Sequence, residues 1–414
     1  MKTRDILKRL DGKKEMSKVE IAKQQDILSG FDTALSQGGV VGVSRLAKIL
    51  YLALTTRLLP QPVSIWLKGP SAAGKSFPLE KVLKFFPAEA YFTRAGISAK
   101  TLAYSSESFA NRFIVLMEAT ALTSGFASYL MRTLLTEGRI VYEFVLGGET
   151  HRIVKDGPTG LLTTTTALSL HHEMETRLFA LAVDDSPGQT QGIMNAQADR
   201  VSGMRQDSDD SIFQSWREFQ TLLASGERRV VIPYSRALSD LVPPAAVRLR
   251  RDFQAVLAFI QAHALLHQAN RERDEQGRIV ATLDDYVPVR SLLHEVVAEA
   301  VEQAVSKEVR ETVQAVASVL MNSADGTATT QQIAQHLGID RSAASRRVDQ
   351  CLDKGFLVTT ERRKGRQMKV MLGEPLPENQ SLLPTAEEIQ KRLTRGQSQQ
   401  RSKSSHSRKG KRKR

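Results

Sequence analysis

Residues 63–76 read VSIWLKGPSAAGKS, and this stretch decides how the middle of the chain folds. Val63–Leu67 alternates apolar and polar side chains, as a strand with one buried face does. Residues 69–76 satisfy the pattern G-x-x-x-x-G-K-[ST], in which glycines let backbone N–H groups curl around phosphates. Apolar residues from Leu79 to Phe86 then recur at helical spacing, so the positive end of a helix would point at the same phosphates. The stretch therefore predicts a strand, a phosphate-binding loop and a helix, in that order.

The phosphate-binding loop predicts a site for ATP and Mg²⁺. Lys75 is expected to reach the β- and γ-phosphates, and the hydroxyl of Ser76 is expected to ligate Mg²⁺. The other residues predicted to line the nucleotide are Gly69, Pro70, Ser71, Ala72, Ala73, Gly74 and Phe77. The alternative is a glycine-rich turn that binds nothing.

ATP hydrolysis needs an acidic partner, and residues 112–118 offer one. This apolar run, RFIVLME, predicts a buried strand that ends in the carboxylate of Glu118. Glu118 is the candidate for activating the attacking water and for sharing the Mg²⁺ site. The run resembles a Walker B strand, in which an Asp usually holds the water shell of Mg²⁺, but here Met117 takes the place of that Asp. The carboxylate of Glu118 would then have to hold the ion and activate the water. The alternative is a core strand that ends at a surface Glu.

Three more strands are predicted after a helix that Gly138 closes. Residues 140–145 and 150–154 form a hairpin around Gly147-Gly148, and residues 159–166 form a strand that ends in four threonines. Thr165 is the candidate for contacting the γ-phosphate or the attacking water, although β-branched threonines also simply favour a strand. Arg177 is a candidate arginine finger for the nucleotide of a neighbouring subunit, the alternative being a solvated ion-pairing Arg.

Residues 306–373 have the order of a winged helix, with three helices followed by two strands around a basic turn. The third predicted helix runs from Ser342 to Gly355 and would enter the major groove, while the turn would hold phosphates. The residues predicted to contact DNA are Arg341, Arg346 and Arg347 on the helix and Arg362, Arg363, Lys364 and Arg366 on the wing. The alternative is a protein-docking module.

Taken in this order, these landmarks resemble the AAA+ ATPases. The inserted hairpin resembles that of the minichromosome-maintenance and superfamily 3 helicase branches. Residues 132–140, 175–177 and 247–253 are similar to primase-associated, helicase-like proteins of bacterial mobile elements. The resemblance implies an α/β P-loop NTPase (AAA+) core with a helical lid, followed by a C-terminal winged helix-turn-helix and a disordered basic tail.

The resemblance also implies roles for four basic residues. Arg248 or Arg250 would reach the nucleotide from the lid, and Arg152 and Lys155 on the hairpin would grip DNA. Acidic neighbours on the hairpin make its charge mixed. The predicted domains are an N-terminal helical segment (1–60), the ATPase core (61–240), the lid (241–305), the winged helix (306–375), and a linker with the tail (376–414).

Composition restricts the class of protein. The chain has 414 residues, a formal net charge of +13 and one cysteine, Cys351, so it has no internal disulfide, as is usual in a reducing cytosol. Residues 395–414 carry nine Lys or Arg and no acid, which favours a disordered arm that binds nucleic acid. No apolar run is long enough for a membrane span, and no signal peptide is evident. We expect a cytoplasmic, nucleoid-associated protein.

These features favour a DNA-dependent ATPase, a helicase or helicase loader in replication of a mobile element. Such a protein would form a homo-oligomeric ring and meet other replication proteins. The alternative is a transcriptional regulator whose ATP site is a switch, with weak or no hydrolysis; a structural DNA adaptor is a third possibility. His263 and His267 are expected to be a packed or surface pair, and Cys351 a core residue.

Overall fold

The computed structural model describes residues 17–40, 42–70, 74–117, 125–165, 172–184, 186–202, 210–244, 248–323, 325–361, 368–376 and 382–395. The chain forms two compact units. The described residues of the first unit lie within Met1–Ser239, Phe253–Leu293 and Thr385–Arg414. Those of the second unit lie within Asp240–Asp252 and His294–Pro384. The domain boundaries expected from the sequence remain a prediction.

The helices of the first part of the chain are α1 (Lys18–Lys23), α2 (Ile27–Gln37), α3 (Ser44–Thr55), α4 (Ser76–Leu83), α5 (Ala99–Tyr104), α6 (Gly125–Glu137), α7 (His172–Glu175), α8 (Pro187–Val201) and α9 (Asp210–Ser225). The later helices are α10 (Ser235–Leu241), α11 (Leu249–Leu266), α12 (Leu283–Ala304), α13 (Lys307–Met321), α14 (Thr330–Leu337) and α15 (Arg341–Asp353). Residues 386–395 are also helical.

The strands are β1 (Ile65–Lys68), β2 (Tyr91–Arg94), β3 (Arg112–Leu116), β4 (Arg139–Leu146), β5 (Glu149–Asp156), β6 (Thr159–Thr165), β7 (Phe179–Ala182), β8 (Val230–Val231), β9 (Ile279–Val280), β10 (Ala328–Thr329), β11 (Leu357–Glu361) and β12 (Lys369–Leu372).

The centre of the first unit is a parallel five-stranded sheet in the order β2-β3-β6-β1-β7. All seven residues of β6 are buried, as expected for a parallel strand covered on both faces. One buried cluster combines Trp66 of β1 with Leu161 of β6 and with Leu130 and Met131 of α6. The apolar strands and the apolar stripe of α6 therefore build a single core from distant segments.

A second set of buried rings belongs to the N-terminal helices and to α9. Phe31 of α2 stacks on Tyr51 of α3 with centroids 4.3 Å apart, and Phe85 and Trp216 meet Phe31 edge-on at 4.7 and 5.9 Å. Such contacts stabilise a core beyond the area that they bury. They hold α2, α3 and α9 around the segment that follows α4, the helix after the phosphate-binding loop.

The predicted hairpin is confirmed and is longer than expected. β4 and β5 pair from Arg139↔Asp156 to Leu146↔Glu149, and Gly147 and Gly148 both have positive φ, 62° and 88°. Two positive φ values suit the two-residue turns that match strand twist. The glycine pair therefore fixes the register of the hairpin.

The second unit contains the expected winged-helix module. Helices α13, α14 and α15 pack with a three-stranded sheet in the order β10-β12-β11, around buried residues such as Val316, Ile333, Val348 and Phe356. Cys351 lies in this core, as predicted, and burial raises the pKa of its thiol to about 11.

One local expectation needs correction. The third helix begins at Arg341 and not at Ser342, because the carboxylate of Asp340 accepts hydrogen bonds from the N–H groups of Ser342 and Ala343, both at 2.9 Å. Asp is a strong N-cap and its charge favours the positive helix end. In the polar stretch after β7, residues 187–201 form α8, which starts at a proline in the favourable first position.

Candidate functional site

The carboxyl ends of β1, β3 and β6 bring the candidate residues to one edge of the sheet. β6 lies between β1 and β3, with Lys68 opposite Thr165 and Leu116 opposite Thr163. The phosphate-binding loop leaves β1 directly after Lys68, and Met117 follows β3. Ligands of open parallel sheets bind at this edge, outside the carboxyl ends of the strands.

Lys75 lies against the loop that precedes it. Its Nζ donates hydrogen bonds to the carbonyl oxygens of Gly69 at 2.9 Å and Pro70 at 2.6 Å, and the residue is buried. A buried ammonium group needs acceptors, and among the described residues the carbonyls of Gly69 and Pro70 supply them. A phosphate would offer a charged acceptor and a stronger hydrogen bond.

The start of α4 suits a phosphate group. Among the described residues no side chain caps this helix, as is also true of α3, whereas α2, α5, α13, α14 and α15 each have a side-chain cap. Gly74, immediately before Lys75, has φ +72° and open space where a Cβ would stand. A helix N-terminus that lacks a side-chain acceptor is suited to bind an anion. The described residues of the loop therefore fit the nucleotide predicted from the sequence.

Thr164 makes a contact that the sequence alone does not reveal. Its hydroxyl donates a hydrogen bond to the carbonyl oxygen of Met117, so it ties β6 to the residue before Glu118. The neighbouring Thr165 is buried beside Lys68, and its role toward the nucleotide stays a prediction. The run of four threonines in the sequence indicates the end of this strand, but the strand register is needed to tell which residue each hydroxyl contacts.

Several candidate residues lie outside the described residues, and their predicted roles stay predictions. They are Ser71, Ala72 and Ala73 of the loop, Glu118 after β3, the wing residues Arg362, Arg363, Lys364 and Arg366, and the basic tail from residue 396 onward.

Arg177, the predicted arginine finger, is held by hydrogen bonds within its own chain. Its Nε donates to Thr136 Oγ1 at 2.9 Å and its Nη1 donates to the carbonyl of Glu173 at 2.5 Å. The side chain is half-buried between α6 and the segment before β7. Reaching a neighbouring subunit would require these hydrogen bonds to open.

Arg248 and Arg250, the predicted lid arginines, belong to the second unit. The Nε of Arg248 lies 3.3 Å from Oδ2 of the buried Asp252, one turn later on α11. Burial raises the pKa of Asp252, although Arg248 opposes this. Arg250 is exposed. The ion pair positions Arg248 at the start of α11, and its contact with nucleotide stays a prediction.

The two hairpin residues that are predicted to grip DNA are also engaged within the chain. Arg152 Nε lies 3.7 Å from Glu143 Oε1 across the strands, and both side chains are mostly exposed. The ammonium group of Lys155 donates to the carbonyl of Ser105, at the end of α5. Lys155 therefore anchors the base of the hairpin, and Arg152 is partly neutralised by its neighbour.

Helix α15, the predicted recognition helix, presents two of its three arginines to solvent. Arg341 and Arg346 are exposed, whereas Arg347 Nη1 donates to Glu311 Oε2 of α13 at 3.0 Å. Of the predicted helix contacts to DNA, Arg341 and Arg346 are the ones that face outward. Glu311 is too distant in sequence for the ion pair to have been predicted.

Residues 315–367 match the MarR family. The match runs from within α13 to the wing and so covers the recognition helix. It supports a winged-helix domain of the DNA-binding kind in this part of the chain, as expected. No curated protein matches the sequence. Within the described residues, no helix is long and apolar enough to cross a membrane.

One group of possible metal ligands occurs among the described residues: His263, His267 and Asp285. His267 Nε2 accepts from the N–H of Ile27 at 3.3 Å, and its Nδ1 donates to the carbonyl of His263 at 3.0 Å. Asp285 accepts from His263 Nδ1 at 2.8 Å and from Arg271 through both oxygens, at 2.7 and 2.9 Å. These hydrogen bonds use both nitrogens of His267, Nδ1 of His263 and both oxygens of Asp285, and they make the group a structural network, as expected for a packed histidine pair.

Burial and the nearby His263 lower the pKa of His267 to about 4, and this predicts acid-sensitive stability. An unfolded chain takes up a proton at this histidine near pH 6.5, whereas the folded chain resists protonation until about pH 4. The contribution of His267 to stability is therefore constant above about pH 6.5 and falls as the pH drops from 6.5 toward 4, by up to about 3 kcal/mol. Denaturant unfolding at successive pH values measures this loss.

The matched variant is His267→Gln, which keeps a polar side chain but does not titrate. We expect its stability to depend less on pH between about 6.5 and 5, a range above the ordinary pKa values of the carboxylates. An equally steep dependence in the variant would show that other groups cause the acid sensitivity.

Proposed function

We propose that the chain is a DNA-dependent AAA+ ATPase, acting as a helicase or helicase loader. The observation that carries this proposal is the order of the strands in the parallel sheet. The strand that ends in threonines separates the strand of the phosphate-binding loop from the strand before Glu118, and all three end at one edge. This order suits nucleotide chemistry, because a phosphate held by the loop would face side chains from the other two strands.

In this proposal each group has a defined task, and Glu118 also shares the Mg²⁺ site. Lys75 holds the β- and γ-phosphates, Ser76 ligates Mg²⁺, and Glu118 accepts the proton of the attacking water. Thr164 positions the backbone before Glu118 through its hydrogen bond to Met117. ATP is the nucleotide proposed, and a homo-oligomeric ring would let Arg177 serve a neighbouring site.

A second candidate function is a DNA-binding regulator that ATP switches without being consumed. The MarR match at residues 315–367 favours it, as does Met117 at the position where a second carboxylate would be expected. In that case ATP would change the affinity for a specific duplex, and single-stranded DNA would have little effect.

Steady-state ATP turnover with no DNA, with single-stranded DNA and with duplex DNA separates the two functions. An ATPase motor predicts turnover that DNA stimulates and that Lys75→Ala abolishes. A negligible rate under all three conditions, with ATP still bound, would overturn the motor and leave the regulator. Glu118→Gln should lower turnover but not ATP binding if Glu118 activates the water.

Both functions require duplex binding through α15, and Arg346→Ala tests it. Arg346 is exposed on this helix, and loss of one Arg contact to a base or phosphate weakens binding about tenfold. Fluorescence anisotropy with a labelled duplex measures the change. The control is Lys307→Ala, which removes the same charge at the start of α13 and should have little effect. Equal losses in the two variants would indicate attraction by net charge only.

A further inference from the structure

A buried arginine lies at the amino end of β1. Arg57 belongs to the single helical turn Thr56–Leu58, which follows α3, and it is only 4% exposed. The turn is held next to the strand, because the hydroxyl of Thr56 accepts a hydrogen bond from the N–H of Val63 at 2.9 Å. The phosphate-binding loop leaves the opposite end of β1, so Arg57 is remote from the predicted nucleotide.

The guanidinium group of Arg57 has few acceptors for its five N–H groups. Its Nη2 donates to the carbonyl oxygen of Gln220 in α9 at 3.3 Å. Its Nε is buried and has no hydrogen-bond partner among the described residues. A buried charge that is neither paired nor fully hydrogen-bonded lowers the stability of the folded chain. Packing of the first unit therefore does not by itself explain an arginine at this position.

Capping of α9 does not explain Arg57 either. The last four residues of a helix have carbonyl groups without a helical partner, and α9 ends at Ser225. Arg228 satisfies one of these groups, since its Nε and Nη2 donate to the carbonyl oxygen of Ala224 at 3.0 and 2.5 Å. Gln220 lies earlier in the helix, so its carbonyl needs no cap. Arg228 therefore has a structural role that Arg57 lacks.

Arg228 also places a second positive charge near Arg57. Burial and this charge lower the pKa of Arg57 to about 10, although the charge of the exposed Glu89 opposes them. The carboxylate of Glu227 accepts hydrogen bonds from the side chain of Arg229, at 2.6 and 3.0 Å. Within the described part of the chain, no carboxylate forms an ion pair with Arg57 or Arg228. The two arginines are therefore a positive pair without a matching acid.

Gln220 adds an acceptor to this pair of donors. Its side chain is fully buried, and its Nε2 donates to Tyr51 Oη at 3.0 Å and to Thr55 Oγ1 at 3.2 Å. Its Oε1 has no hydrogen-bond partner among the described residues. A group that satisfies Arg57 Nε and Gln220 Oε1 together must accept one hydrogen bond and donate another. A water molecule does both, but it leaves the two positive charges uncompensated.

We propose that Arg57 and Arg228 bind inorganic phosphate at the amino end of β1. Phosphate offers charged acceptors that suit planar guanidinium groups. At neutral pH it also keeps an O–H group that can donate to Gln220 Oε1, whereas sulfate has the same shape but no such proton. The small exposure of Arg57 favours an ion of this size. Bound phosphate would join the turn after α3 to α9 and so stabilise the N-terminal helices, independently of any ATP turnover.

The test is thermal unfolding of the full chain in phosphate, sulfate or chloride at neutral pH and equal ionic strength. All chains carry Lys75→Ala, which weakens any phosphate site in the phosphate-binding loop. We expect phosphate at ten times its Kd to raise the Tm by about 3 °C, and sulfate to raise it less. Arg228→Gln should weaken phosphate binding about tenfold or more. The matched control is Arg229→Gln, which removes an exposed charge one residue later and should keep the full response.

Arg57→Met separates phosphate binding from a purely structural role. It removes the buried charge but keeps a long apolar side chain, so the Tm in chloride should stay the same or rise, while the response to phosphate is lost. A phosphate response that survives in both Arg57→Met and Arg228→Gln would overturn the proposal. A Tm in phosphate no higher than in sulfate would also overturn it, because the arginines would then bind any tetrahedral anion or none. Far-UV circular dichroism verifies that each variant folds.

Discussion

We expect Lys75→Ala to weaken nucleotide binding more than any other single change in the phosphate-binding loop. The Lys75 ammonium is buried against the carbonyls of Gly69 and Pro70, next to a helix start with no side-chain cap. A hydrogen bond to a charged group contributes about 1.5–3 kcal/mol, so affinity for ATP should fall about 10- to 100-fold. ATP turnover should fall with it.

Thermal unfolding with and without Mg²⁺-ATP measures this effect independently of hydrolysis. A ligand at a hundredfold excess over its Kd stabilises the folded chain by about 2.7 kcal/mol, and most of that stabilisation should vanish in the variant. Lys84→Ala is the control, because it removes the same charge just beyond the other end of α4, where Lys84 is exposed. If ATP stabilises the Lys75 variant as much as the wild type, the loop does not hold the phosphates.

Local signals in the sequence predicted much of this fold. The Gly147-Gly148 pair indicated the hairpin, the side chain of Thr329 caps the start of α14, and Gly338, with φ 65°, ends it. Each of these is a short-range effect, since a cap or a turn is decided by residues within one turn of each other. The strand–loop–helix order around Lys75 has the same local origin.

Contacts between distant segments could not be predicted in this way. The position of β6 between β1 and β3 depends on packing across the whole unit, and that position decides that Thr164 contacts Met117. The pairing of Arg347 with Glu311 needs α13 and α15 to be packed first. The sequence therefore predicted which residue types belong to the site, whereas the tertiary structure determines which of these residues are in contact.

Asp285→Ala should destabilise the first unit severely. The Asp285 carboxylate is fully buried and accepts hydrogen bonds from His263, from both Nε and Nη2 of Arg271, and from the N–H of Thr282. Burial alone would raise the pKa of Asp285, but the hydrogen bonds from His263 and Arg271 lower it to about 2. Removing one partner of a buried ion pair costs about 3–5 kcal/mol, because the other charge stays buried without compensation.

Denaturant unfolding of the variant beside Asp284→Ala measures this cost. Asp284 is the exposed neighbour in the first turn of α12, so its loss removes the same charge near the same helix end and should change stability by less than about 1 kcal/mol. Asp285→Asn should fall between the two, since an amide keeps an acceptor but not the charge that Arg271 requires. Equal stability of the Asp284→Ala and Asp285→Ala variants would contradict this prediction. It would mean that water reaches Arg271 and His263 once the carboxylate is removed, so that the network contributes little to holding α11 and α12 together.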